Sequence, residues 1–361
     1  MIVNKQLVIF LILKIFYMFF ALYVFSKITS LGDTFAYLDG SHFYPKSFFL
    51  DSTATLGTLG YLLNNMFGIV IANLFFVFLS FYGIYYSVSR LNLTNKQLFF
   101  LLLLLSFPSF GIWTSISSKE AIGVFYMGII LGFFIDLLEN KKRKVKIVEY
   151  IALYLLFLFK MQYLAAILSI WVYIKISYFF NLKAFGKSML LFIHILITIS
   201  FFYYFKEDIN DISFILPDHF SLDAGSTREN TIWVDDYDVF GNAPYGIFIA
   251  FWGPTFLEVI QKPIQSIVFI ESLVIFLFFL FFLFKASILV IRTGKINIFY
   301  FSIFSMAIFW LLFVHYPFGV LNPGSAVRYR ENFYGFLVVL LFYLYQKIKL
   351  RYEIEKNNDT Y

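Results

Sequence analysis

The chain has 361 residues, 61% of them apolar and 14% charged, with a mean hydropathy of +0.80 and a net charge of +6. An average soluble domain carries about 25% charged residues, and one soluble core could not cover this much apolar surface. These figures exclude a cytosolic enzyme, a disordered chain and a nucleic-acid binder; they predict an all-α polytopic integral membrane protein of about 10 transmembrane helices, each of about 20 residues.

Cysteine is absent, so there is no disulfide and no thiolate metal site. His42, His194, His219 and His315 show no metal-ligand spacing, and no G-x-x-x-x-G-K-[ST] loop occurs. No cofactor is expected. Aromatic residues at 23% suit lipid-facing and interfacial surface.

The first apolar run extends from Leu7 to Phe25, longer than a secretory h-region. It ends Val24-Phe25-Ser26-Lys27, without the small residues of a cleavage site, and reads as a membrane anchor. Lys14 inside it snorkels or faces the bundle. Further spans are expected at 67–88, 98–113, 120–138, 147–159, 164–181, 188–205, 266–291, 296–314 and 333–347. The joints alternate in charge. Arg90 and Lys96, the run Lys141 to Lys146, Lys175, Lys183, Lys187, Arg292, Lys295 and the tail from Lys347 form a basic set. Most carboxylates lie in 26–53, 114–120, 206–262 and 315–332. The positive-inside rule then places both termini in the cytoplasm. Residues 1–361 read as a single transmembrane domain, with 206–263 as one large extracytoplasmic loop. Pro217, Pro244, Pro254 and Pro263 prevent that loop from being one long helix, and its part from Gly246 to Ile260 is apolar enough to lie in or dip into the interface.

Four constellations offer chemistry. Ser117 with Glu120 forms an S-x-x-E capping box, and Lys119 beside the helix start makes an anion site at membrane depth. Asp33, Asp39 and His42 place two carboxylates and an imidazole just after the first span, where a general base for a hydroxyl is chemically possible; a plain Asp-Gly turn loop is the simpler reading. Lys160 is a polar break in a long apolar stretch, as in half-helices that form sites. Arg328 and Arg330 lie where the charge rule depletes cations; if that segment is extended they share a face suited to phosphate, and if it is helical Arg328 can pair with Glu331. The D-x-D of Asp236 and Asp238 lies in the acidic stretch, where nucleotide sugars are scarce.

These residues resemble motifs of bacterial surface-polysaccharide polymerases, the Wzy-type O-antigen polymerases and the EpsG-like proteins. Phe107-Pro108-Ser109 leading through Trp113-Thr114-Ser115 to Ser118-Lys119-Glu120 is similar to their "P-S … W-S … K-[DE]" hairpin. Gly253-Pro254-Thr255-Phe256-Leu257-Glu258, followed by Glu271-Ser272-Leu273, is similar to "R-P-F … E … E-[NS]-L", with Gly253 in place of the arginine. Arg328-Tyr329-Arg330 resembles "R-Y-R", and Lys160 stands where related chains carry arginine. The resemblance implies a GT-C-like fold in the bacterial inner membrane. It implies transfer of a growing glycan from undecaprenyl diphosphate to the next undecaprenyl-diphosphate-linked oligosaccharide, without a metal. It also implies the lipid bilayer, a chain-length regulator and a flippase as partners. Lys119, Glu120, Arg328 and Arg330, supported by Lys160, would then hold the diphosphate, with Asp33, Asp39 or His42 as the base. Other lipid-linked glycosyltransferases, O-antigen ligases and a flippase of lipid-linked units remain as alternatives; Lys14, Glu149, Glu271 and Lys285 are the charges a transporter would use.

Overall fold

A computed structural model describes residues 4–141, 143–219, 228–293 and 297–358. Lys142, Lys295, the first residue of the span expected at 296–314, and 220–227 of the long acidic stretch lie outside the described residues. All regular structure among the described residues is helical, with no strand. Among the described residues, eight helices are long and apolar enough to cross a membrane. The protein is therefore a polytopic, all-helical membrane protein, and its helices gather into two compact units.

The first unit, Met1–Leu164 with Glu331–Leu340, contains α1 (Lys5–Tyr23), α2 (Thr34–Asp39), α3 (Ser52–Val88), α4 (Asn95–Leu104), α5 (Pro108–Trp113), α6 (Lys119–Leu138) and α7 (Ile147–Lys160). α6 is apolar nearly all round and almost wholly buried, the pattern of a central helix. α3 runs beside it with no side chain between the two at one point. A Cβ on Gly83 would lie 2.5 Å from the Phe125 Cα and the Val124 oxygen, and one on Gly128 would strike the Gly83 backbone. Small residues at such crossings let apolar helices pack where lipid provides no hydrophobic drive. α3 is itself divided at Gly68 (φ 79, ψ 165), a conformation that suits glycine alone, so the span expected at 67–88 has a helical forearm over 52–67.

The span expected at 98–113 is not one helix. Pro108 cannot continue a helix and biases Phe107 toward extended geometry (φ −60, ψ 143), so α4 and α5 are separated by a bend. The broken pair still keeps company with α1 along its length: the Gln6 amide donates to the Asn95 carbonyl, the Tyr17 hydroxyl to Ser106, and Phe25 packs on Trp113. The spans expected at 147–159 and 164–181 form one stretch, Ile147–Phe179, interrupted at Lys160 (φ −150, ψ 64). These two segments account for eight long helices against the expected ten.

One end of this unit is basic and cross-linked. Asp136 receives Arg90, Lys141 and Arg143 at 2.9–3.0 Å, while Arg143 also meets Glu149, which accepts the Tyr86 hydroxyl at 2.6 Å. The ends of α3, α6 and α7 are thereby tied together.

The second unit, Ala165–Arg330 with Leu341–Tyr361, carries α8 (Leu164–Phe179), α9 (Ala184–Tyr204), α10 (Lys206–Ile215), α11 (Asp238–Gly241), α12 (Ala243–Trp252), α13 (Phe256–Gln261), α14 (Ser266–Thr293), α15 (Ile298–Leu321) and most of α16 (Pro323–Asn358), whose residues 331–340 belong to the first unit. Tyr173 bonds to Ser302, and Lys187 lies over the Phe299 ring, so the basic joint at 183–187 shares an end with the start of α15. At the other end α12 packs on α15, with Gly246 under the Tyr316 ring and Gly319 against Ala250. Phe248 meets Phe276, Trp252 meets Phe279, and the Ser272 hydroxyl donates to the Gly253 carbonyl. Ser272 lies about 9 Å along α14 from its first residue. α12 therefore packs beside α14, and α13 leads back to its start.

The glycine crossing gives a direct test. Gly83→Ala should destabilise the purified protein by roughly 1–3 kcal/mol, because the new methyl meets backbone that cannot turn aside. Thermal unfolding in detergent would show a lower midpoint; an unchanged midpoint would mean that α3 and α6 are not in backbone contact.

Candidate functional site

At the end of the first unit away from the basic network, three segments form a polar cap: α2 with its flanking turns, the forearm of α3, and the 114–120 connection. The helix expected to start at Ser117 starts one residue later. Ser118 is the N-cap (φ −147), its hydroxyl oxygen accepting the Ala121 amide at 3.0 Å and donating to the Trp113 carbonyl at 2.6 Å. The Ser117 amide donates instead to Asn73 Oδ1 at 2.7 Å, which holds Ser117 out of the helix. The Ser117–Glu120 capping box is thus replaced by a Ser118 cap. Lys119 becomes the first helical residue and Glu120, fully buried, the second.

Lys119 Nζ donates to Thr53 Oγ1 at 2.8 Å and to Ser52 Oγ at 3.2 Å, where α3 begins. The ammonium therefore stands where two helices start. Asp51 caps α3 by accepting the Ala54 amide at 2.7 Å. On the same forearm and connection, the hydroxyls of Thr58, Ser115 and Ser117 are buried and meet no partner among the described residues. Such groups are rare in apolar bundles, since each forfeits the free energy of a hydrogen bond.

The 33–42 segment lies against the same forearm. The Tyr37 carbonyl and the Ser117 hydroxyl both border Gly60, and the His42 backbone borders Gly57. The His42 ring packs 5.5 Å from that of Tyr37, whose hydroxyl donates to Asp33 at 3.3 Å. Asp39 accepts the Ser41 hydroxyl at 2.6 Å and the Ser41 amide at 2.8 Å. Those two bonds hold its carboxyl below the usual carboxylate range, so Asp39 closes a turn and is a poor proton acceptor. Lys160 ends α7, half-buried, at the backbone break before Met161.

The two arginines lie in the second unit, and the segment that carries them is helical. Two residues apart on α16, Arg328 and Arg330 point about 200° apart and do not share a face. Arg328 is half-buried near the Tyr329 ring. Arg330 is buried, and its Nη1 donates to the Phe251 carbonyl at 3.0 Å and to Ser272 Oγ at 2.9 Å. Together with His315 Nε2, 3.0 Å from the Ala250 carbonyl, it satisfies the end of α12.

Sequence reasoning passed over the best-formed polar pair. Arg228 forks onto Glu258, Nε to Oε1 at 2.5 Å and Nη2 to Oε2 at 3.0 Å, while Nη1 caps α15 at the carbonyls of Gly319 and Val320. Glu258 also accepts the Thr255 amide at 2.6 Å. Burial alone would raise the Glu258 pKa; the bonds and charge of Arg228 outweigh it and hold the group below the usual range. The T-x-x-E spacing of Thr255 and Glu258 was a local signal for the cap. Nothing local announces Arg228, whose partners are 30 and 91 residues away. No candidate metal cluster of His, Asp or Glu occurs among the described residues.

No family model, curated protein or solved structure matches this chain. The fold and its two polar regions thus define a class, a multi-pass helical membrane protein.

Three substitutions test the scaffold. Ser118→Ala should cost about 1 kcal/mol of stability while Ser117→Ala costs little, reversing the order expected from an S-x-x-E box; thermal unfolding of both variants decides the cap. Arg330→Ala should cost about 2 kcal/mol by leaving the Phe251 carbonyl unmet. A midpoint equal to that of the wild type would remove Arg330 from the support of α12.

Proposed function

We propose that the chain is a polymerase of lipid-linked glycan repeat units in the bacterial inner membrane. It transfers a growing glycan from undecaprenyl diphosphate to the next lipid-linked unit on the outer face, with both termini cytoplasmic and a GT-C-like helical plan. The observation that carries this reading is the polar cap of the first unit. A lysine ammonium stands there at the start of α6, and the same segments carry buried hydroxyls that meet no partner among the described residues. A diphosphate brings oxygen acceptors, which those hydroxyls and that ammonium can meet, and a helix start favours negative charge. The motif resemblance falls on the same residues, Pro108 to Glu120.

Lys119 is the leading residue for the departing diphosphate in this reading. A preorganised donor at the position of developing charge is worth about 3 kcal/mol of barrier. Asp33 and His42 are the better candidates to accept the proton of the attacking hydroxyl, since Asp39 is held by Ser41. The transporter reading is weakened by the placement of its charges. Lys14 is bound to Thr114, Glu149 to Arg143, and Lys285 is exposed near the Phe281 ring.

Deleting the gene should leave surface lipid capped by a single repeat unit, whereas loss of a flippase or ligase leaves none. Lys119→Ala should reproduce the deletion at normal protein level. A full chain-length ladder from Lys119→Ala would remove the diphosphate assignment, and unaltered surface glycan in the deletion strain would remove the polymerase reading.

A further inference from the structure

The second unit contains a polar cleft of about 290 Å³, lined by the Arg228–Glu258 fork, by residues of α12 and α13, by Gln265 and by the start of α16. We infer that this cleft binds neutral, hydroxyl-rich sugar residues of a glycan rather than a phosphate. The inference deepens the polymerase reading and rests on it only for the source of the sugar.

The charge of that fork is already used. A guanidinium has five N–H groups. Arg228 commits Nε and Nη2 to Glu258 and Nη1 to two carbonyls, so one N–H remains for a ligand. Glu258 is met by that fork and by the Thr255 amide. The lining also carries Lys262 and Glu229, so its two cations are matched by two carboxylates. An anion therefore finds no surplus positive charge.

The remaining polar groups ask for a ligand that both donates and accepts. Gln265 Oε1 is buried and meets no partner among the described residues, and it can only accept. A diphosphate esterified at both ends has no proton to offer it at neutral pH; a sugar hydroxyl does. Thr231 and Gln261 supply further donors and acceptors, and the exposed Tyr245 offers a ring face to the apolar side of a pyranose. The size of the cleft suits one or two sugar rings.

The test uses the full-length protein in lipid nanodiscs and neutral oligosaccharides released by mild acid from the source cell's own surface glycan. Saturation-transfer NMR should show sugar signals with the wild type. Thr231→Trp, which fills the cleft, should abolish them, and Gln265→Leu, close to constant in volume, should weaken binding about tenfold. Inorganic pyrophosphate should not compete. No signal with the wild type, undiminished signal in both variants, or displacement by pyrophosphate would each overturn the inference. Should Thr231→Trp fail to accumulate, Gln265→Leu decides alone. The deletion strain reports on polymerase activity separately, so neither result stands in for the other.

Discussion

A backbone amide or carbonyl that leaves a helix within an apolar bundle has no water to bond to, and the protein must supply its partner. This chain breaks its helices where that rule bites hardest, and the architecture follows from how each break is served. At 105–107 the carbonyls of Leu104 and Ser106 accept the hydroxyls of Tyr334 and Tyr17. At 114–118 the Thr114 carbonyl accepts Lys14 and Ser80, and Asn73 holds the Ser117 amide. At 250–253 His315, Arg330 and Ser272 meet the carbonyls of Ala250, Phe251 and Gly253 at the end of α12.

The same rule explains why several charges that look catalytic in the sequence are structural in the fold. Lys14 sits in the middle of an apolar run because Thr114 is there to bind it. Arg330 lies where cations are scarce because α12 presents its carbonyl end there, the negative pole of the helix. Asp136 and Glu149 would be prohibitive alone, yet each is shared among cations and hydroxyls of the ends they join. Removing one member of such a set leaves the others unmet, which is why breaking these networks costs more than forming them gains.

The spans themselves were legible, because 20 apolar residues in a row have few other fates. What composition could not show was interruption. Pro108 forbids a continuous helix through 98–113, but only geometry shows that α4 and α5 together keep the length of α1. Lys160 was read correctly as a break, yet whether it separates two spans or bends one depends on local angles that no periodicity encodes. The cap of α6 was missed by one residue because Asn73, some 44 positions away, claims the Ser117 amide. The two arginines of 328–330 were expected to act together if extended; helix geometry sends them to different environments. Arg228 had no local pattern at all, since its meaning comes from Glu258 and from the end of α15.

In the cleft of the second unit, saturation of donors matters more than the presence of charge. Arg228 spends its fork inside the protein, so the cleft it lines retains geometry without net attraction for an anion, and its unmet acceptor on Gln265 selects for hydroxyls. In the proposed reading Lys119, which donates to the hydroxyls of Ser52 and Thr53, meets an oxygen that moves as a bond breaks; the flexible stem of a lysine suits that task, whereas a planar guanidinium is better at fixing one geometry. The ligand class assigned to the cleft follows from which side-chain donors the scaffold has already consumed.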